Sequence, residues 1–356
     1  MSLHFHRLPV RSIRRETPDC VSIVLAVPPE LREVFSFTAG QNLTLRARVD
    51  GQDIRRSYSI CSAPGDGELR VAVKRVPGGI FSGYANDRLR PGDYLEVLPP
   101  TGQFFTALHQ EHQKKYLAFA AGSGITPVIS IIKSTFTTEP RSTFTLVYGN
   151  RTISSVIFLE ELEGLKNKYL DRFQLIYLFS RESTDTPLNN GRLDGNKLLE
   201  LGRILDYAGF DAFFLCGPQD MIFGTQEFLK KAGIDERKIH FELFTVPGKQ
   251  PAQDPLAEAG GQPGTNSRVT VRIDGRSFDL DLDREAEPIL DAALKKGADL
   301  PFACKGGVCG TCRARVLEGE VTMEVNWALE PEEVARGYIL TCQSHPKTPK
   351  VVVDFD

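Results

Sequence analysis

The sequence predicts a multidomain chain: an antiparallel β-barrel first, an α/β domain around a parallel sheet second, and a small, mostly β domain last. Three observations predict it. Short strand-like runs punctuated by glycine and proline give way near residue 109 to apolar strands alternating with helical patterns. A stretch rich in Pro, Gly, Gln and Ala at 247–267 then interrupts the chain. Beyond it, four of the seven cysteines crowd into the last quarter.

A chain of 356 residues is long enough for two or three domains. Its formal net charge of -3 supplies no field that would favour nucleic acid or an anionic membrane. No run approaches the roughly 18 apolar residues of a membrane span. The opening "MSLHFHRLPVRSIRR" lacks the apolar core and small-residue cleavage site of a signal peptide. A cytoplasmic chain is therefore expected, with neither nucleic acid nor membrane as partner. The odd, uneven cysteine set argues against a disulfide-stapled scaffold. Cys20 and Cys61 lie in apolar strand-like stretches and read as core residues.

Residues 1–108 read as all-β, with runs "SIVLAV", "NLTLRARV", "RRSYSI" and "LRVAVKRV" between turns such as "APGDGE". In 109–246, strand "KYLAFAAG" leads into a helix from Thr126-Pro127. Strands "FTLVYG", "FQLIYLFS" and "DAFFLCG" alternate with helices "SSVIFLEELEGLKNKY", one near 196–205, and "QDMIFGTQEFLKKAG". This rhythm predicts a parallel sheet covered on both faces, with "DAFFLCG" as its last strand. The segment 247–267 holds almost no large apolar residue and reads as a flexible linker. In 268–356, "RVTVRIDGRSFDLDL" alternates around Asp274-Gly275, a hairpin whose type I′ turn needs positive φ twice. One helix, "EPILDAALKKG", follows and ends at Gly297.

The cysteines carry the first chemical signal. Cys304 and Cys309 enclose four residues, Cys309 and Cys312 enclose two, and Cys342 lies on a distant strand. Zinc modules usually pair two short Cys-x-x-Cys units. Three ligands in one glycine-rich loop with a remote fourth is instead the plant-type ferredoxin spacing of a [2Fe–2S] cluster. The glycines let backbone N–H groups approach the sulfurs, where a Cβ would obstruct a tight loop. A non-catalytic scaffold with a structural zinc module is the competing reading.

"RRSYS" carries Arg56, Ser57, Tyr58 and Ser59, and here the chain resembles the ferredoxin–NADP reductase superfamily, whose flavin domain bears R-x-Y-S on a barrel strand. The resemblance implies that Arg56 pairs with the FAD pyrophosphate, Tyr58 stacks on the isoalloxazine, and Ser59 bonds near its N5. The next stretch, from Val73-Lys74 to Gly79-Ile80-Phe81-Ser82, resembles the family's G-x-x-S turn, whose amides cradle the pyrophosphate. "PPTGQF" resembles the boundary between its flavin and nucleotide domains. Gly122, Gly124, Thr126 and Pro127 of "AAGSGITP" match the family's G-x-G-x-x-P opening of a helix, whose N-terminus suits a dinucleotide phosphate.

The resemblance places Cys216, in Cys216-Gly217-Pro218, beside the reacting carbon of the nicotinamide. It places Glu242 near that ring and Phe244 over the flavin, with phenylalanine where plant-type reductases have tyrosine. Ser180 and Arg181, with Arg151 on an earlier strand end, resemble residues that grip a 2′-phosphate, so NADPH is expected over NADH. The order of barrel, nucleotide domain and β-grasp plant-type ferredoxin resembles reductase components of multicomponent oxygenases. The implied partner is the oxygenase component of a multicomponent monooxygenase. A reductase serving a Rieske or steroid-type oxygenase is the alternative.

Overall fold

The computed structural model describes residues 4–245, 266–284 and 287–356. The barrel domain contains β1 (His6–Thr17), β2 (Cys20–Leu25), β3 (Asn42–Val49), β4 (Gln52–Ser59), β5 (Leu69–Lys74) and β6 (Tyr94–Val97). They hydrogen-bond in the order β4-β3-β6-β1-β2-β5. A bridge between Ile60 and Val71 joins the two outer strands, so the antiparallel sheet closes on itself. Leu43, Leu45, Val71, Val73 and Leu95 fill the interior. The β3–β4 hairpin turns at Asp50-Gly51, with φ of 50° and 83°, the double positive that a two-residue turn requires.

The all-β expectation for this domain needs one correction. The stretch after Gly79 is helix α1 (Ile80–Asp87), which packs Phe81 and Ala85 into the barrel core. Its two apolar anchors, four residues apart, lie on one helical face, too short a signal to separate from a turn.

The nucleotide domain follows as β7 (Lys115–Ala121), α2 (Ile125–Thr138), β8 (Thr143–Asn150), α3 (Leu159–Lys168), β9 (Phe173–Phe179), α4 (Gly195–Leu201), β10 (Ala212–Cys216), α5 (Gln219–Lys231) and β11 (Ile239–Glu242). The five strands are parallel, in the order β11-β10-β7-β8-β9. "DAFFLCG" is thus not the last strand, because "HFE" adds β11 beyond it. The chain runs outward from β7 to β9 and then crosses back to β10. The seam between β7 and β10 is therefore the switch point where such sheets bind ligands.

The third domain contains β12 (Asn266–Ile273), β13 (Arg276–Asp283), α6 (Ile289–Lys295), β14 (Arg313–Glu318), β15 (Val321–Met323), α7 (Pro331–Ala335), β16 (Tyr338–Leu340), β17 (Ser344–Pro346) and β18 (Lys350–Asp354). Its main sheet runs β13-β12-β18-β14-β16, and Ile289, Leu290 and Ala293 of α6 pack into its core. Asp274 and Gly275 take φ of 53° and 69° in the expected turn. A second short helix, α7, joins the single one expected. Most of the linker assignment lies outside the described residues, and β12 begins two residues inside it, at Asn266. No helix of the described residues is long and apolar enough to cross a membrane.

Candidate functional site

The barrel and the nucleotide sheet meet at the switch point. Cys216 and Glu242 are register partners at the C-terminal ends of β10 and β11. Across the domain boundary, Ser59 Oγ at the end of β4 donates to Glu242 Oε2 at 2.7 Å. Burial raises the Glu242 carboxyl to about 7, with the Ser59 bond opposing it. Burial, reinforced by the Glu242 charge, also pushes the Cys216 thiol well up, so it stays a neutral thiol. Its side chain is fully enclosed. Three residues expected at the reacting end of the site thus lie together, although 183 positions separate Ser59 from Glu242.

Gly124 shows why this seam is tight. A Cβ there would lie 2.0 Å from the Cys216 carbonyl oxygen, so only glycine lets the start of α2 rest on the end of β10. Thr126 Oγ1 donates to the Ser123 carbonyl at 3.0 Å and closes the first turn, with Pro127 buried behind it. Gly122 accepts from the Tyr148 hydroxyl at 2.8 Å. Gly217 packs against Ala121, and Pro218 precedes α5.

On the barrel side, the Tyr58 ring lies 5.5 Å from that of Phe81. Arg56 is exposed, and its guanidinium donates to the Arg55 carbonyl at 2.7 Å. Ser57 donates to Asn42 Oδ1 at 2.7 Å. Ser82 Oγ takes the Val76 N–H at 3.0 Å and donates to the Gly79 carbonyl, which folds the Gly79-to-Ser82 stretch over the start of α1. Ile80 is exposed there, Val73 is buried, and the Lys74 ammonium lies 3.7 Å from an Asp19 oxygen. An exposed cation, a ring and a helix start on one rim suit a flavin nucleotide. Phe244, 40% exposed, lies just beyond β11.

At the far end of the sheet, the Ser180 and Arg181 N–H groups donate to the Asn150 and Arg151 carbonyls at 3.0 and 2.9 Å. The Arg151 and Arg181 side chains are exposed beside each other's loops. Glu182 turns to accept the Ile153 N–H at 2.7 Å. Asn150, which sequence reasoning passed over, is buried here with neither side-chain polar atom bonded. A buried amide left open at a strand end fits a polar ligand such as a nucleotide ribose.

The four thiols of the last domain arrive as two pairs. Cys304 lies within hydrogen-bond reach of Cys309, and Cys312 within reach of Cys342. Two pairs suit a dinuclear cluster. The Gly306 N–H points at Cys304 Sγ from 3.4 Å, and Gln343 Nε2 lies 3.7 Å from Cys342 Sγ. The Cys309 thiol, against burial and with help from nearby backbone N–H groups, Gly306 among them, pulls the Cys304 thiol down, while the same contact and burial push Cys309 up. Cys20 and Cys61 are fully buried in the core that joins the barrel to the nucleotide domain.

Known proteins match along the same divisions. Residues 7–106 match an oxidoreductase FAD-binding domain, 119–227 an oxidoreductase NAD-binding domain, and 271–347 a 2Fe-2S iron-sulfur cluster binding domain. One subunit of the 1,2-phenylacetyl-CoA epoxidase of Escherichia coli (strain K12) is 48% identical over 99% of this chain and 98% of its own. The ferredoxin reductase component of 3-ketosteroid-9-alpha-monooxygenase from Rhodococcus rhodochrous is 38% identical over 98% of this chain and 96% of its own. Phthalate dioxygenase reductase shares the fold, with a TM-score of 0.56 at 22% identity over 99% of this chain and 98% of that one. The chain belongs to the ferredoxin–NADP reductase superfamily, in the three-domain branch of FAD- and [2Fe–2S]-dependent electron-transfer reductases that includes reductase components of multicomponent oxygenases.

Proposed function

We propose that this chain is the cytoplasmic reductase of a di-iron phenylacetyl-CoA epoxidase, drawing on NADPH in preference to NADH. The observation that carries the electron path is the Ser59–Glu242 bond, which joins the flavin-motif strand to the nicotinamide end of the nucleotide sheet. When bound, FAD would supply the conversion of one hydride, carrying two electrons, into two single electrons, and the [2Fe–2S] cluster would supply one-electron transfer.

The chain's own residues bind, orient and manage protons. Arg56 and the Gly79-to-Ser82 helix start hold the flavin phosphates, and Tyr58 supports its ring. Cys216 sets how closely the nicotinamide seats over the switch point. Glu242, titrating near 7, can hold a proton at Oε2 and exchange it with Ser59 Oγ. Ser180, Arg151 and Arg181 surround the 2′-phosphate, and Asn150 meets the adjoining ribose. Cys304, Cys309, Cys312 and Cys342 ligate the cluster. Residues 1–108, 109–246 and 268–356 act as the three working units.

The 48% identity to the epoxidase protein, against 38% for the ketosteroid reductase, supports the choice of oxygenase. Reconstitution tests it. Mixed with the oxygenase component of a phenylacetyl-CoA epoxidase, the protein should couple NADPH oxidation to epoxide formation. Turnover only with a Rieske or steroid oxygenase would refute the assignment. Purified protein should also carry two irons per chain; stoichiometric zinc without iron would refute the cluster.

A further inference from the structure

β4 presents different residues to its two faces. Tyr58 and Arg56 pair in register with Leu43 and Leu45, whereas Ser57 and Arg55 pair with Thr44 and Arg46. Because side chains alternate along a strand, Arg55 points away from the face that carries Arg56 and Tyr58. There it meets the ferredoxin domain. Arg55 is only 7% exposed, a rare state for an arginine on a domain surface.

Its guanidinium donates to the Leu300 carbonyl at 3.0 Å and to Asp299 Oδ1 at 3.1 Å. Its central carbon lies 4.4 Å from the Phe302 ring centroid, and Phe302 is two residues before the cluster ligand Cys304. On the neighbouring strand, Thr44 Oγ1 lies 2.9 Å from Oγ1 of Thr311, between the ligands Cys309 and Cys312. The barrel therefore holds the cluster loop from both flanks. Of these contacts, only Arg55 combines charge, a fork of donors and ring stacking, a set that lysine cannot reproduce.

We infer that Arg55 is a positioning residue for electron transfer: a latch that docks the cluster loop against the barrel and sets how long it stays there. The inference rests on the proposed electron path from FAD to cluster. It also implies that the oxygenase meets the cluster loop only when Arg55 lets go, because the barrel covers the flanks of that loop.

The test uses full-length protein loaded with FAD and cluster. Anaerobic stopped-flow with NADPH separates flavin reduction from cluster reduction, and hydrogen–deuterium exchange over residues 299–311 reports docking independently of activity. Arg55→Ala should leave flavin reduction at the wild-type rate and slow cluster reduction at least about tenfold, the scale of one lost charge-assisted bond. Exchange at 299–311 should quicken. Unchanged cluster reduction with unchanged exchange overturns the latch. Equal slowing of both steps also overturns it, by placing Arg55 in the flavin site. Should the alanine variant not accumulate folded, Arg55→Lys decides: an intermediate loss in both readouts supports the latch, and wild-type behaviour refutes it. A wild type that never reduces its cluster defeats the functional reading instead, while the exchange comparison still judges the latch.

Discussion

The barrel touches its two neighbours in different ways. Toward the nucleotide domain, one apolar core runs unbroken: Cys20, Ala39, Cys61, Ala72 and Phe104 of the barrel side pack with Tyr116, Ile129 and Phe214 of the other. Arg70 is clamped to both Glu161 oxygens, at 2.9 and 2.8 Å, and Lys133 reaches the same carboxylate. Toward the ferredoxin domain the barrel's contacts are polar: the Arg55 latch, the Thr44–Thr311 pair, His4 against Asp274 and Arg46 against Asp299. The ferredoxin domain keeps a core of its own. A shared core cannot part without exposing apolar surface, whereas a polar seam between two complete cores can. Hydride transfer needs fixed geometry, and delivery to a separate protein needs release. Each interface matches its task.

Cutting the weaker interface away gives the largest effect. Residues 1–246 alone should fold, keep FAD and reduce ferricyanide with NADPH, yet deliver no electrons above background to an iron acceptor protein. Failure to hold flavin would show that the ferredoxin domain completes the reductase half. Attacking the stronger interface comes next. Arg70→Ala removes the two-pronged partner of Glu161, which keeps Lys133, and should cost about 1.5–3 kcal/mol in denaturant unfolding of the reductase half. Loss of ferredoxin stability instead would reverse the comparison.

Within the strong seam, Cys216→Ala should leave FAD bound and slow flavin reduction, by up to ~100-fold for a misplacement of about 1 Å. Stopped-flow at the wild-type rate would remove Cys216 from the site. Far from both interfaces, Arg181→Ala should weaken NADPH roughly 10- to 150-fold, one charged hydrogen bond of about 1.5–3 kcal/mol, and leave NADH use unchanged. Equal loss for both nucleotides in kcat/KM would remove Arg181 from the phosphate.

The last effect is a pH slope. Glu242 is raised from its ordinary 4.5 to about 7, so between those values the folded protein keeps a proton that the unfolded chain releases. Its stabilising share is complete below 4.5 and lost as pH rises through 7. In the flavin-free protein, Glu242→Gln should flatten the fall in stability across that window. An unchanged slope would show that Glu242 is not buried against Ser59.

Local chemistry is legible in the sequence. The cysteine spacing sits largely within one loop, the Asp274-Gly275 turn within two residues, and the glycines of "AAGSGITP" within one strand-to-helix turn. Contacts between remote segments are not. Nothing in "RRSYS" says that its first arginine meets a carbonyl 245 residues later, or that its last serine meets Glu242. Alternation along the strand alone assigns Arg55 and Arg56 to opposite faces, but does not name what waits on either. Helix α1 escapes notice because eight residues with few buried apolar anchors resemble a loop. β11 escapes because "HFE" is too short to show a period and resembles a family tail more than a strand.

The Asp50-Gly51 turn has a consequence well beyond its own two residues. It makes Val49 face Gln52, and by counting on from there it decides that odd-numbered Arg55 and Ser57 share one side while even-numbered Arg56 and Tyr58 share the other. A single residue inserted just after the turn, with the strand pairing kept, would exchange the two sets at a stroke. Arg55 would be handed to the side that now carries Arg56, and Tyr58 to the side that now faces the ferredoxin domain. Parity, more than any individual side chain, therefore constrains how this hairpin can drift: substitutions are tried one position at a time, but a length change must come in twos.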